Sequence, residues 1–235
     1  ETFARRAREI LRSVDELNDL VRAESGVLTG RLRIGIIPTI APYLLPGLIR
    51  ELGAQSPDLD ILPREAVTQT LIRDLNEGRL DMAVVALPVS EPALHEEVLF
   101  DEEFVLVRPR ADADKPVPDA EQLREMRLLL LEEGHCFRNQ ALSFCKPSTL
   151  AARDMMEGCS LSTLVRMVGS NIGVTLIPEM AVPTETRLAD VSVERLPSPR
   201  PTRTVGMVWR KSSPLAPQWA EIARTLQGCG RDRLI

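Results

Sequence analysis

From Leu32 to Leu87 the chain alternates strand-like and helix-like segments, and that alternation restricts it to few folds. Leu32–Ile37 is a short apolar run that predicts a first strand. Pro42 opens a helix that runs to Gln55. Leu59–Glu65 is a second strand, Val67–Leu75 a helix that stops at Gly78, and Leu80–Leu87 a third strand. Such a succession calls for an α/β fold, with a parallel sheet joined by crossover helices.

Beyond Pro88 the texture changes. Val98–Phe100 and Phe104–Val107 predict two short strands within an acidic patch of Glu96, Glu97, Asp101, Glu102 and Glu103, which reads as a solvated surface. Ala111–Pro118 is a polar loop, Arg127–Leu131 a buried strand and Lys146-Pro-Ser-Thr a turn. Ser160 has the residue type and position of a helix N-cap, with the helix reaching Gly169. Gly173–Ile177, Val191–Leu196 and Thr204–Trp209 read as strands, and Pro217–Leu226 as a closing amphipathic helix.

Residues 2–24 predict one amphipathic helix. Phe3, Ala7, Ile10, Val14, Leu17 and Val21 follow alternating steps of four and three, and Leu11 and Leu20 widen the stripe. Two readings stay open from the pattern alone: a helix that pairs with a partner through a coiled-coil seam, or one that packs on its own domain.

Composition removes several classes of function. Of the 235 residues, 44% are hydrophobic and 27% charged, as in a soluble globular protein. The net charge of −5 gives no overall basic footprint for nucleic acid. Aromatic residues make up 3%, which leaves few platforms for stacking bases. No apolar run is long enough to cross a bilayer, and four cysteines without a secretory signal point to a reducing, cytoplasmic setting. In that setting a disulfide is transient and redox-sensing rather than structural.

The chemistry-bearing stretch is Glu132-Glu-Gly-His-Cys-Phe-Arg-Asn-Gln-Ala-Leu-Ser-Phe-Cys145. His135 precedes Cys136, Arg138 follows two residues on, and Cys145 lies nine positions downstream (145 − 136 = 9). Cationic and hydrogen-bonding neighbours favour a thiolate, the reactive form of cysteine. One activated thiol and a second that resolves it suffice for a reversible redox switch. The plain alternative is a pair of buried cysteines acting as small hydrophobes. Cys159 is expected to be buried and inert, Cys229 to lie in a frayed tail, and His95 to be exposed. Without a Cys-x2-Cys pair, a zinc site from His135, Cys136, Cys145 and Cys159 is not expected.

The stretch Gly-His-Cys-Phe-Arg-Asn-Gln-Ala-Leu-Ser-Phe-Cys resembles the redox motif of the OxyR family, the peroxide-sensing LysR-type transcription regulators. Ile37-Pro-Thr-Ile-Ala-Pro-Tyr-Leu-Leu-Pro46, Ser160-Leu-Ser-Thr-Leu, Gly173-Val-Thr-Leu-Ile-Pro-Glu-Met-Ala-Val-Pro183 and Arg203-Thr-Val-Gly are similar to its other segments, in the family's order. The resemblance runs from about residue 1 to about residue 227. It implies two Rossmann-like subdomains of the periplasmic-binding-protein type behind a linker helix. The linker would take residues 1–28, subdomain I residues 30–100 plus 206–235, and subdomain II residues 101–205. The chain would cross between them near 99–103 and again near 203–206.

What the resemblance implies for chemistry is specific. Cys136 attacks hydrogen peroxide and becomes a sulfenic acid, and Cys145 resolves it to a disulfide. Thr39, Thr68, His135, Arg138 and Arg203 would bind and activate the peroxide in one cleft, without cofactor or metal. Each has a plainer reading: a threonine after a strand caps the next helix, and an arginine pairs with a surface acid. Implied partners are a second copy, as homodimer or homotetramer, and a reductant such as glutaredoxin or thioredoxin. DNA would be reached through a winged helix-turn-helix that this chain does not carry, with no membrane involved. Two other classes stay open: a LysR-type domain that binds a small organic effector, and a thiol peroxidase. The chain lacks the Thr-x-x-Cys setting of peroxiredoxins, and a stoichiometric sensor is expected rather than an enzyme.

Overall fold

A computed structural model describes residues 3, 6, 14, 17, 19–23, 29–145 and 156–231, the last three of these as backbone only. The described residues before 24 are helical, while the rest of the helix expected over residues 2–24 lies outside them. Phe3, Val14, Leu17, Leu20 and Val21 all stand exposed in the single chain. The turn expected at Lys146-Pro-Ser-Thr and the side chain of Cys229 also lie outside the described residues.

The chain divides into two compact units. The first comprises Glu1–Ile40, Leu44–Phe100 and Val205–Asp232; the second comprises Ala41–Tyr43, Asp101–Thr204 and Arg233–Ile235. In the first, strand β1 (Gly30–Ile36) is central, with β2 (Leu59–Glu65) on one side and β3 (Met82–Leu87) on the other, all parallel. Helices α1 (Ala41–Gln55) and α2 (Thr68–Asn76) make the crossovers. Leu32, Ile34, Leu48, Leu71, Met82 and Val84 are almost wholly buried and form this unit's core. Gly35 lets this core close on the strand: a Cβ there would sit 2.7 Å from a Leu71 methyl and 2.8 Å from one of Leu80, which would have to shift.

The two short strands expected around residue 100 are one 16-residue strand, β4 (Leu94–Pro109). The strand runs without interruption through its acidic middle, where sequence alone suggested a break, with β9 (Thr202–Arg210) as its neighbour in the sheet. The parallel sheet expected over residues 32–87 holds for β1–β3, whereas in the second unit β4 pairs antiparallel with β7 (Thr175–Pro178) and β8 (Val191–Arg195), and that unit also holds a short parallel pair. That pair is β5 (Leu129–Leu131) with β6 (Met156–Gly158), a strand too short to leave a sequence signal. The described elements of this unit also include α3 (Ala120–Leu123), α4 (Cys136–Cys145), α5 (Leu161–Gly169) and α6 (Val182–Glu185). The closing strand β9 (Thr202–Arg210) and β4 are the two strands that run through both units, and α7 (Ala216–Arg231) follows. Ser160 caps α5 as expected, its hydroxyl accepting the Thr163 N–H at 3.2 Å. Among the described residues no helix is long and apolar enough to cross a membrane.

Candidate redox site

The site is built on α4. Strand β5 ends at Leu131, and Gly134, at φ +97°, turns the chain into the helix. That left-handed conformation favours glycine. Cys136 is the first residue of α4 and Cys145 the last. A residue nine positions on is turned to the opposite face of a helix and displaced by about 13.5 Å. Cys136 accordingly lies half-exposed and Cys145 is fully buried, both as free thiols. Burial pushes the Cys145 thiol up to about 11.

Phe137, Ala141 and Cys145, spaced by four, form the buried face of the helix. The Phe137 ring packs on Phe104 of β4 with centroids 4.7 Å apart and planes tilted by 58°. The Arg203 guanidinium lies 5.8 Å from its centroid. Leu142 and Phe144, on the same helix, are only half-buried.

Both arginines are buried, and each has a defined partner. Arg138 Nη1 donates to the Leu131 carbonyl at 2.9 Å and lies 2.7 Å from Glu157 Oε1, tying the first turn of α4 to β5 and β6. Arg203 donates through Nε and Nη2 to Glu102 Oε2, both at 2.8 Å, with neither side chain exposed. Glu102 Oε1 accepts the Met180 N–H at 2.8 Å. This corrects the reading of the acidic patch: Glu102 is not solvated, because its charge is neutralised by Arg203 from 101 residues away.

Thr39 and Thr68 lie in the first unit, each three residues past the end of a strand (39 − 36 and 68 − 65). Those strands are neighbours in register, Ile36 opposite Glu65, so both threonines follow the C-terminal ends of adjacent parallel strands. Neither acts as a helix cap: the capping positions are Ile40 and Val67, without side-chain bonds. Thr39 is buried, and the Thr68 hydroxyl is buried without a hydrogen-bond partner. His135 is half-exposed, and its carbonyl accepts the Arg138 N–H at 3.1 Å. The second unit thus gathers His135, Cys136, Arg138, Cys145 and Arg203, while the first gathers Thr39 and Thr68.

Sequence reasoning missed three residues here. Gln140 stands one turn beyond Cys136 on the same helix, and its amide oxygen is buried without a partner. Glu157, the partner of Arg138, is placed by β6. Tyr43 donates its hydroxyl to Glu185 at 2.6 Å, and Ser162 bonds the other oxygen of that carboxylate. Burial, then the bond to Glu185, raises the Tyr43 hydroxyl well above its ordinary value. Only the Gln140 spacing, four residues from Cys136, was legible in advance. Two further expectations are corrected. Cys159 is exposed, because it sits in the turn between β6 and α5. His95 is not simply exposed: its ring lies 4.5 Å from that of Trp209, with Glu97 at 3.3 Å.

Comparison with known proteins identifies the family of the chain. The family model of the LysR substrate binding domain matches residues 25–228. A probable hydrogen peroxide-inducible genes activator of Streptomyces viridosporus is 38% identical over 99% of this chain and 76% of its own length. The DNA-binding transcriptional dual regulator OxyR of Escherichia coli K12 is 37% identical over 94% of this chain and 73% of its own. Among solved structures, an H2O2-bound cysteine-to-serine mutant of Corynebacterium glutamicum OxyR superposes with a TM-score of 0.85 at 29% identity, over 99% of this chain and 74% of that one. The reduced OxyR regulatory domain of Pseudomonas aeruginosa gives 0.77 at 35%, over 86% and 97%. The chain belongs to the LysR-type regulators, and its two α/β units are those of an OxyR regulatory domain.

Proposed function

We propose that this peroxide-sensing LysR-type regulatory domain works through Cys136 and Cys145, with helix α4 as the moving part. The observation that carries the reading is the division of the two thiols along one helix: Cys136 half-exposed at its first residue, Cys145 buried at its last. The first turn of a helix has unsatisfied N–H groups and favours negative charge, which suits a nucleophilic thiolate. The Cys136 sulfur attacks one oxygen of hydrogen peroxide, the O–O bond breaks, and protonation of the departing oxygen releases water. The sulfenic acid is then attacked by the Cys145 sulfur, forming the S–S bond and releasing a second water. The sensor is consumed once per peroxide, and a reductant such as glutaredoxin or thioredoxin restores it.

Hydrogen peroxide carries two donors and several acceptors. In the second unit the orphaned Gln140 oxygen and His135, and in the first the orphaned Thr68 hydroxyl and Thr39, are groups able to hydrogen-bond it. Arg138 and Arg203 support it indirectly, by fixing α4. A disulfide requires Cα atoms within about 7 Å, which an intact helix of this length forbids. The helix therefore unwinds on oxidation, and the segment repacks a subunit interface. That interface belongs to a homodimer or homotetramer whose paired DNA-binding domains occupy two half-sites. Peroxide treatment followed by a sulfenic-acid probe tests the assignment. Cys136→Ser abolishes labelling, and Cys145→Ser leaves a trappable sulfenic acid at Cys136. Labelling of Cys145 or Cys159 first contradicts it.

A further inference from the structure

We propose that Glu102 is a positioning residue for the redox helix, acting on α4 through Arg203 and the Phe137 ring; the inference rests on the redox reading of Cys136 and Cys145. Every oxygen of the Glu102 carboxylate is engaged. Oε2 takes both Nε and Nη2 of Arg203, and Oε1 takes the Met180 N–H. A fully buried guanidinium held by a carboxylate in this way has a fixed orientation. It lies 5.8 Å from the centroid of Phe137, within the range of cation–π attraction. Phe137 is the residue next to Cys136, and its ring also packs on Phe104.

The platform under Phe137 is held by its neighbours in both strands. Thr204 Oγ1 donates to Asp101 Oδ1 at 2.6 Å, Arg200 Nη1 to Glu103 at 3.1 Å, and the Phe104 N–H to the Pro201 carbonyl at 2.9 Å. Glu102 and Arg203 thus form one rung of a ladder between β4 and β9. The ring meets this platform only while α4 is helical. When the Cys136–Cys145 disulfide forms, the unwinding segment carries Phe137 off, and the contact is lost from the oxidised state alone. Glu102 therefore favours the dithiol over the disulfide, and it sets how oxidising the surroundings must be before the switch closes.

The test is the dithiol–disulfide equilibrium of the full chain in glutathione buffers. As the S–S bond opens to two thiols, two molecules of reduced glutathione give up two electrons and two protons and become glutathione disulfide. Glu102→Gln keeps an acceptor for Met180 but releases Arg203. Phe137→Leu keeps apolar bulk but removes the ring. Each is expected to raise the disulfide-to-dithiol constant by roughly 2- to 30-fold, the span of a cation–π contact. The combination is expected to shift it no further than the larger single change, because both remove one interaction. If Glu102→Gln fails to fold, Glu102→Gln/Arg203→Met replaces the pair with a neutral one, and Phe137→Leu then has a smaller effect in that background than alone. Constants equal to wild type, or shifts that add in full, overturn the positioning role while leaving the redox pair intact. A wild-type protein that forms no Cys136–Cys145 disulfide overturns both.

Discussion

Cys136 and Cys145 begin and end the same ten-residue helix, and only Cys136 reaches solvent. In the proposed switch this arrangement presents the attacking thiol and hides the resolving one. The two meet only if the helix between them is dismantled, and each contact that holds α4 in place becomes a control on sensing.

Burial holds the Cys145 thiol neutral, and this gives a pH dependence with a definite sign. Its value in the fold is raised from 9.0 to about 11. A raised value leaves the buried helix unpenalised below pH 9 and costs it stability as pH climbs towards 11, where the unwound state ionises first. In the Cys136→Ser protein, alkylation of Cys145 by iodoacetamide is expected to accelerate steeply across that window. A plateau at or below pH 9 would show that the thiol is not held neutral.

Arg138 binds the first turn of α4 to both strands of the short parallel pair. Arg138→Ala leaves the Leu131 carbonyl and Glu157 without that donor, and is expected to cost about 1–3 kcal/mol in urea unfolding. Because the loss falls on the helical state, the disulfide is expected to form faster with one equivalent of peroxide. Slower formation would mean that Arg138 serves the chemistry directly.

Thr68 separates stability from reactivity. Its hydroxyl is buried without a partner, so Thr68→Val removes an unsatisfied group and is expected to leave the urea midpoint unchanged or raised. The peroxide reaction of Cys136 is expected to slow by roughly 10- to 100-fold. An unchanged rate in stopped flow would remove Thr68 from the site.

Tyr43 donates to Glu185, which also holds Ser162. Tyr43→Phe is expected to destabilise the protein by about 1 kcal/mol, read as a lower urea midpoint with an unchanged slope. No loss would mean that water replaces the hydroxyl.

The first three strands and their helices were legible because local periodicity and Gly and Pro punctuation decide them. Nothing in the sequence between Cys136 and Cys145 opposes the α4 helix, which holds no proline or glycine. Glu102 was misread as solvated, since its local neighbours are acidic and its neutralising partner is remote in the chain. For the same reason β4 appeared as two strands: its pairing comes from β7, β8 and β9, not from its own composition. Cys159 looked like a core residue by type, but the turn after β6 turns it outward. Side chains whose roles depend on partners distant in sequence leave no local signal.

The claim on which all of this depends is that oxidation dismantles α4. Amide hydrogen exchange over residues 134–145, compared between the dithiol protein and the protein oxidised with one equivalent of peroxide, tests it directly. Unwinding predicts slow exchange across the helix in the dithiol form and fast exchange once the disulfide has formed. Identical protection in the two forms, with the Cys136–Cys145 disulfide present, would contradict it.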